Sequence, residues 1–157
     1  MQNLTSKIIE PETLSDLSRI NRVVFTNGIF DILHAGHVRY LETARNLGDM
    51  LIVAVNDDAS AHKLKGPSRP VNTLSDRMTV LAALTSVSCV MPLRDTINVV
   101  LLSFLKPTIW VKGGDYTLET LNISERALAD SLGIQIQLIP FSNGYSTTST
   151  LRKIAAA

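Results

Sequence analysis

His34 and His37 stand three residues apart at the end of the run Thr26-Asn27-Gly28-Ile29-Phe30-Asp31-Ile32-Leu33-His34-Ala35-Gly36-His37. They are two of the three histidines in a chain of 157 residues. A strand-like run over 22–27 precedes them and a helix-like run over 36–47 follows. The first turn of a helix presents unpaired N–H groups and partial positive charge, so anions bind there. Imidazoles at the same place add hydrogen-bond donors, and the segment reads as a phosphate site. A metal pair and ordinary helix-cap histidines remain as alternatives. A closed zinc site would lack ligands, because the chain has a single cysteine and its third histidine, His62, lies far along.

Other residues have suitable types and positions. Gly28 allows close backbone approach to a ligand. Gly36 opens the helix where a side chain would block a nucleotide lying against it. Asp31 can orient a donor or a metal-bound phosphate, and equally can serve a turn or cap. Lys112-Gly113-Gly114-Asp115 follows a strand-like run, where two glycines permit contact with a base or sugar and a plain turn would look the same. Gly144-Tyr145-Ser146-Thr147-Thr148 precedes a last helix. Hydroxyls cap helices, but three in a row exceed that need and can hold a terminal phosphate. The long connection 56–73 carries His62, Lys63, Lys65 and Arg69 beside Gly66, Pro67 and Pro70, a pattern of either a functional lid or a solvated loop. No Ser–His–acid set, paired catalytic carboxylates, cysteine nucleophile or Walker-type glycine loop stands out. Donors and cations of this kind suit phosphoryl and nucleotidyl transfer, where catalysis is mostly positioning and stabilisation of phosphate charge.

These residues need a frame to bring them together. Short runs rich in Val and Ile at 22–27, 50–56, 89–93, 108–111 and 135–140 alternate with helical patterns at 36–47, 74–84, 97–105 and 122–132, with a last helix from about Ser146. The run Met50-Leu51-Ile52-Val53-Ala54-Val55 is apolar on both faces, as a central parallel strand should be. Alternation of this kind predicts an α/β fold, a doubly wound, Rossmann-like five-stranded parallel sheet with right-handed crossovers. Its ligands should bind at the carboxyl ends of the strands near the switch point, where the histidines fall. The stretch 11–20 reads as an amphipathic helix outside the sheet. Residues 1–20 are then a helical extension and 21–157 the core of one domain.

Apolar content of 45% and charged content of 18% describe a globular chain, not a disordered one. A net charge of +1 gives no argument for nucleic acid or an acidic membrane surface. The lone Cys89 fits a reduced, cytoplasmic setting. No signal-peptide pattern or membrane-spanning apolar run is evident. The closing Ala155-Ala156-Ala157 looks like a frayed end.

The string G-I-F-D-I-L-H-A-G-H-V-R-Y-L-E-T-A-R-N-L-G-D resembles the cytidylyltransferase-like nucleotidyltransferases, whose hallmark is H-x-G-H. More narrowly the chain is similar to the adenylyltransferase domain of bacterial ADP-heptose synthases. The matching segments are A-V-N-D-D-A-S, L-K-G-P-S-R-P-V-N, S-D-R-M-T-V-L-A-A-L, V-K-G-G-D-Y and G-Y-S-T-T, in order over about 22–154. The resemblance implies that ATP and a heptose 1-phosphate give ADP-heptose and pyrophosphate, with Mg²⁺ carried on the ATP phosphates and no metal ligands of the protein's own. It implies that His34, His37 and Lys65 are catalytic. Thr26, Asn27, Gly28, Ile29, Phe30, Gly36, Lys112, Gly113, Gly114 and Asp115 would line the nucleotide, and Ser146, Thr147 and Thr148 would cradle its β- and γ-phosphates. Asp31, Lys63, Arg69 and Arg77 would meet the sugar phosphate. It also implies a homodimer or higher homo-oligomer, a separate sugar kinase, and no nucleic-acid or membrane partner. The chain departs from the family at Ser88, at Arg94-Asp95-Thr96-Ile97 and at Asn122-Ile123-Ser124-Glu125-Arg126, which touches sugar choice or subunit contacts more than chemistry. Phe141 stands where the glycerol-phosphate cytidylyltransferase branch has arginine, which favours adenylyl over cytidylyl transfer. That branch, ethanolamine-phosphate cytidylyltransferases, FMN adenylyltransferases and a catalytically silent nucleotide-binding module are the competing readings.

Overall fold

The structure, a computed structural model, describes residues 4–14, 21–114, 116–140 and 147–156. Five parallel strands, β1 (Val23–Gly28), β2 (Met50–Asn56), β3 (Cys89–Leu93), β4 (Ile109–Gly113) and β5 (Gln135–Ile139), form one sheet in the order β3-β2-β1-β4-β5. Among the described residues six α-helices connect or follow them: α1 (Ala35–Arg45), α2 (Asp58–Lys65), α3 (Leu74–Ala82), α4 (Val99–Leu105), α5 (Ile123–Ser131) and α6 (Thr147–Ala155). The chain winds outward from β1 to β3, then returns to β4 on the other side of β1. That reversal places a crevice at the carboxyl ends of β1 and β4, where α/β sheets of this type hold ligands.

Alternation along the strands explains the two-sided core. Val24, Leu51, Val53, Val55 and Val111 face one side with Leu41 and Ala44 of α1 and Leu81 of α3. Phe25, Ile52, Ala54, Met91 and Trp110 face the other with Leu101 and Leu102 of α4 and Ala129 of α5. The run 50–55 is therefore apolar throughout because both of its faces are covered. Register pairs Val24 with Leu51 and with Ile109, so the carboxyl ends of β1, β2 and β4 finish at one rim.

Two expectations are corrected. The connection 56–73 is not one long loop: Asp58–Lys65 is α2, started by the Asp57 carboxylate, whose Oδ1 accepts from the Ser60 N–H at 2.7 Å. The stretch from Pro11 opens as a 3₁₀ turn, Pro11–Thr13, and not as an α-helix; residues 15–20 lie outside the described residues. Just before that turn the chain is extended. Ile8 bridges to Val90 at the β3 edge, and the Ile9 N–H donates to the Val90 carbonyl at 2.9 Å. Lys7 ties the same segment to the connection between α3 and β3 through the carbonyls of Leu84 (3.1 Å) and Val87 (2.8 Å). This covers the open edge of the sheet, a place that otherwise invites mispairing. No helix among the described residues is long and apolar enough to cross a membrane.

Candidate active site at the switch point

His34 caps α1, with an extended backbone (φ −139°, ψ 170°), and His37 sits in the first turn. Their rings stack with centroids 3.9 Å apart. The backbone N–H of His34 donates to Nδ1 of His37 at 3.4 Å, so His37 reaches back over the helix start in the manner of a capping box. An Nδ1 that accepts places the proton of the neutral ring on Nε2, which is then a donor. Burial, helped by the neighbouring His34, lowers His37 to about 4, and burial lowers His34 as well. Both rings are neutral near pH 7 and present donors without a fixed charge.

Phe30 shapes the approach to the pair. It adopts a left-handed backbone (φ 48°), a conformation that costs a residue with a side chain of order 1–3 kcal/mol and persists where surroundings enforce it. Its buried ring meets His37 edge-on, with centroids 5.7 Å apart. A Cβ at position 28 would come within 3.0 Å of that ring, so the glycine there makes room for Phe30.

The four residues expected to meet the sugar phosphate divide into two groups. Asp31 is buried, and its carboxylate accepts from Arg69 Nε (2.5 Å) and from the backbone N–H groups of Val71 (2.8 Å) and Asn72 (2.9 Å). Burial alone would raise the Asp31 carboxyl, but the N–H groups of Asn72 and Val71 and the Arg69 guanidinium hold it below the usual range. Arg77 is also buried: Nη1 donates to the carbonyls of Ile29 (2.6 Å) and Asn56 (2.8 Å), Nε to that of Asn72 (3.0 Å), and Nη2 meets Asp58 at 2.6 Å. Asp31, Arg69 and Arg77 thus clamp the loops after β1, β2 and α2 to one another. Lys63 lies on the exposed last turn of α2 with Lys65, beyond the carboxyl end of β2.

On the nucleotide side, the Thr26 hydroxyl turns inward, donating to the Val111 carbonyl at 3.0 Å and lying 2.6 Å from the Tyr40 hydroxyl. Asn27 Oδ1 is buried with no hydrogen-bond partner among the described residues. Ile29 contributes its carbonyl to Arg77, and Gly36 is buried in the first turn of α1. Lys112 is buried at the end of β4, its Nζ 5.0 Å from the Trp110 ring centroid and 5.3 Å from that of Tyr116. Burial lowers its ammonium, and the Glu125 carboxylate partly offsets that. Gly114 follows, its N–H bonded to the Ile139 carbonyl of β5 at 3.2 Å. Thr147 opens α6, and its hydroxyl lies 3.5 Å from the Ile32 carbonyl, two residues before His34. The last helix and the histidine loop are thereby neighbours. Asp115, Phe141, Gly144, Tyr145 and Ser146 lie outside the described residues, as does the side chain of Thr148. Among the described residues no three His, Cys, Asp or Glu side chains gather as a metal site.

Tyr40 and Asn56 were missed by the sequence reading. A signal existed for Tyr40: it lies three and four residues past His37 and Gly36, on the same helix face. Asn56 carried none that marks its amide as internal: Nδ2 donates to the nearby Ser60 Oγ (3.2 Å) and to the remote Asp95 carbonyl (2.9 Å).

Residues 25–153 match the sequence model of the Cytidylyltransferase-like family. The chain is 51% identical over 138 residues to the bifunctional protein HldE of Shewanella baltica (strain OS185), covering 88% of this chain and 29% of that protein. It is 46% identical over 154 residues to the bifunctional protein HldE of Trichlorobacter lovleyi, covering 95% of this chain and 31% of that protein. The chain therefore spans less than a third of the length of these curated relatives. Among solved structures it resembles the lipopolysaccharide core biosynthesis protein from Thermoplasma volcanium GSS1, with a TM-score of 0.64 and 28% identity over 80% of this chain and 98% of that one. A pantoate-beta-alanine ligase from Francisella tularensis, 15% identical with a TM-score of 0.59 over 92% of this chain and 72% of that one, shares the fold. The chain belongs to the cytidylyltransferase-like family, and its fold is that of a nucleotidyltransferase.

Proposed function

We propose that this domain transfers AMP from ATP to a heptose 1-phosphate, giving ADP-heptose and pyrophosphate as a precursor for lipopolysaccharide core or a related glycan. The observation that carries the proposal is the stacked, neutral His34–His37 pair at the start of α1, on the rim where β1 and β4 end. In this reaction a sugar phosphate oxygen forms a bond to the α-phosphorus while the bond to the β-phosphate oxygen breaks. Charge builds on the α-phosphate oxygens and on the leaving pyrophosphate. The N–H groups at the helix start, with the imidazole donors, are set in advance for that charge. Lys65, with Lys63 beside it, supplies exposed cations from the end of α2, and Thr147 opens the helix that would take the outer phosphates. Asn27 Oδ1, without a partner among the described residues, would accept from a ligand donor such as a ribose hydroxyl.

Mg²⁺ belongs to the substrate in this reading. It favours phosphate oxygens and water over dedicated protein cages, and Asp31 is already saturated by N–H donors, so the ion enters on ATP and neutralises phosphate charge there. The relatives named bifunctional protein HldE and the lipopolysaccharide core biosynthesis protein support a heptose acceptor. Mass spectrometry of the product from ATP, Mg²⁺ and D-glycero-D-manno-heptose 1-phosphate tests it. A nucleoside diphosphate heptose carrying adenine is expected; unchanged substrates would refute the assignment.

A further inference from the structure

Position 113 looks from its sequence like a glycine that lets a nucleotide approach. The structure fills that space from inside the protein. A Cβ added at Gly113 would lie 2.5 Å from Tyr40 Cε2, 2.8 Å from Cζ and 2.9 Å from Cδ2. The Tyr40 ring is buried, and its hydroxyl reaches across the switch point, 2.6 Å from Thr26 Oγ1 on β1 and 3.3 Å from the Val111 carbonyl on β4. Thr26 Oγ1 itself donates to the same carbonyl at 3.0 Å, closing a buried triangle between the two strands. On α1, Tyr40 follows Gly36 by four residues and His37 by three, so it stands directly behind the turn that carries the histidines.

We infer that Tyr40 is a positioning residue: its ring, seated in the space left by Gly113 and held by Thr26 and Val111, fixes the first turn of α1 against both strands and so sets His34 and His37 for the transfer. This rests on the proposed nucleotidyl transfer and assigns a part in it to a ring packed behind the histidine turn. The histidines gain precision because a buried, doubly bonded hydroxyl has one seat, whereas a purely apolar side chain could slide. A side chain at position 113 would push the ring, and with it α1, off that seat. Displacement of about 1 Å in a catalytic group can cost about 10²-fold in rate.

The test uses Tyr40→Phe, Gly113→Ala, Tyr40→Leu and the double variant Gly113→Ala/Tyr40→Leu, with kcat and KM for ATP from pyrophosphate release and hydrogen exchange of the 36–41 amides. Gly113→Ala should lower kcat by about 10²-fold with KM for ATP changed less than about threefold, and should weaken protection of 36–41. Removing the ring makes room for the new methyl, so the double variant should recover roughly tenfold in kcat over Gly113→Ala, a coupling that independent sites do not show. Tyr40→Phe, which keeps the ring and the packing, should lose kcat and not ATP affinity. A rise in KM for ATP in Gly113→Ala that Tyr40→Leu fails to relieve would overturn the inference in favour of a ligand-contact glycine. If the unaltered protein releases no pyrophosphate, the nucleotidyl-transfer reading fails instead. The exchange arm then still decides the Tyr40 contact: lost protection restored in the double variant upholds it, and unchanged protection overturns it.

Discussion

Which ring nitrogen holds the proton decides what His37 can do for a phosphate. Its Nδ1 is occupied by the His34 N–H, so the donor is Nε2, and the ring stays neutral well below pH 7. Replacing His37 or His34 with alanine should lower turnover by about 10²-fold or more, the loss expected for one preorganised transition-state donor, with a smaller effect on ATP binding. Near-normal pyrophosphate release in both variants would remove them from the mechanism. The same ring leaves a mark on stability. His37 titrates at about 4 when folded and near 6.5 when unfolded. Between those values only the unfolded chain holds the extra proton, so stability rises with pH through this window and falls on acidification. The slope is at most about 1.4 kcal/mol per pH unit, and solvent at the half-buried ring reduces it. Urea midpoints at pH 4.5, 5.5 and 6.5 should rise with pH and rise less steeply in His37→Asn.

At the scale of elements, the loops beside the histidines are held by charge turned inward. The family resemblance puts Asp31, Arg69 and Arg77 at the sugar phosphate, and the composition of 56–73 suits either a lid or a solvated loop. The structure closes Asp31 on Arg69, Val71 and Asn72, and Arg77 on three carbonyls and Asp58. Asp31→Asn should cost about 3 kcal/mol, the scale of leaving a buried charge without its partner. It should also speed hydrogen exchange at Val71 and Asn72; unchanged exchange there would show that the clamp does not hold the loop. The strands were readable because burial on both faces imposes an unbroken apolar run, as in 50–55. Helix α2 was not readable by period, since only Ser60 and Ala61 of it are buried and no apolar stripe forms. Its one local signal was Asp57 at the N-cap. Arg77 could not be read as internal, because its acceptors are carbonyls and one carboxylate contributed by segments far apart in sequence.

At the scale of the molecule, the order β3-β2-β1-β4-β5 gathers the H-x-G-H turn, the end of β4 and the start of α6 at one rim, and that convergence was legible from alternation and motif order alone. Both segments that depart from family pattern make contacts within the chain, as does the single residue. Ser88 Oγ accepts from the Leu51 N–H at 3.0 Å, Arg94 pairs with Glu10 at 2.8 Å, and Glu125 accepts from Asn98 N (2.6 Å) and Nδ2 (2.8 Å). The argument for adenine from Phe141 falls on a residue outside those described. Nucleotide choice therefore has to be read from the reaction. A site shaped for the hydrogen-bonding edge of one base rejects another that leaves buried groups unpaired, by well over tenfold in favourable cases. The most direct measurement is kcat/KM for pyrophosphate release from ATP and from CTP across a panel of sugar 1-phosphates, with His37→Ala as control. Release with ATP and a heptose 1-phosphate, at least about tenfold above any CTP pair and lowered about 10²-fold or more in the control, is the predicted result. No release with any pair, or release undiminished in His37→Ala, would contradict nucleotidyl transfer at this rim, and equal or better use of CTP would contradict the adenylyl assignment.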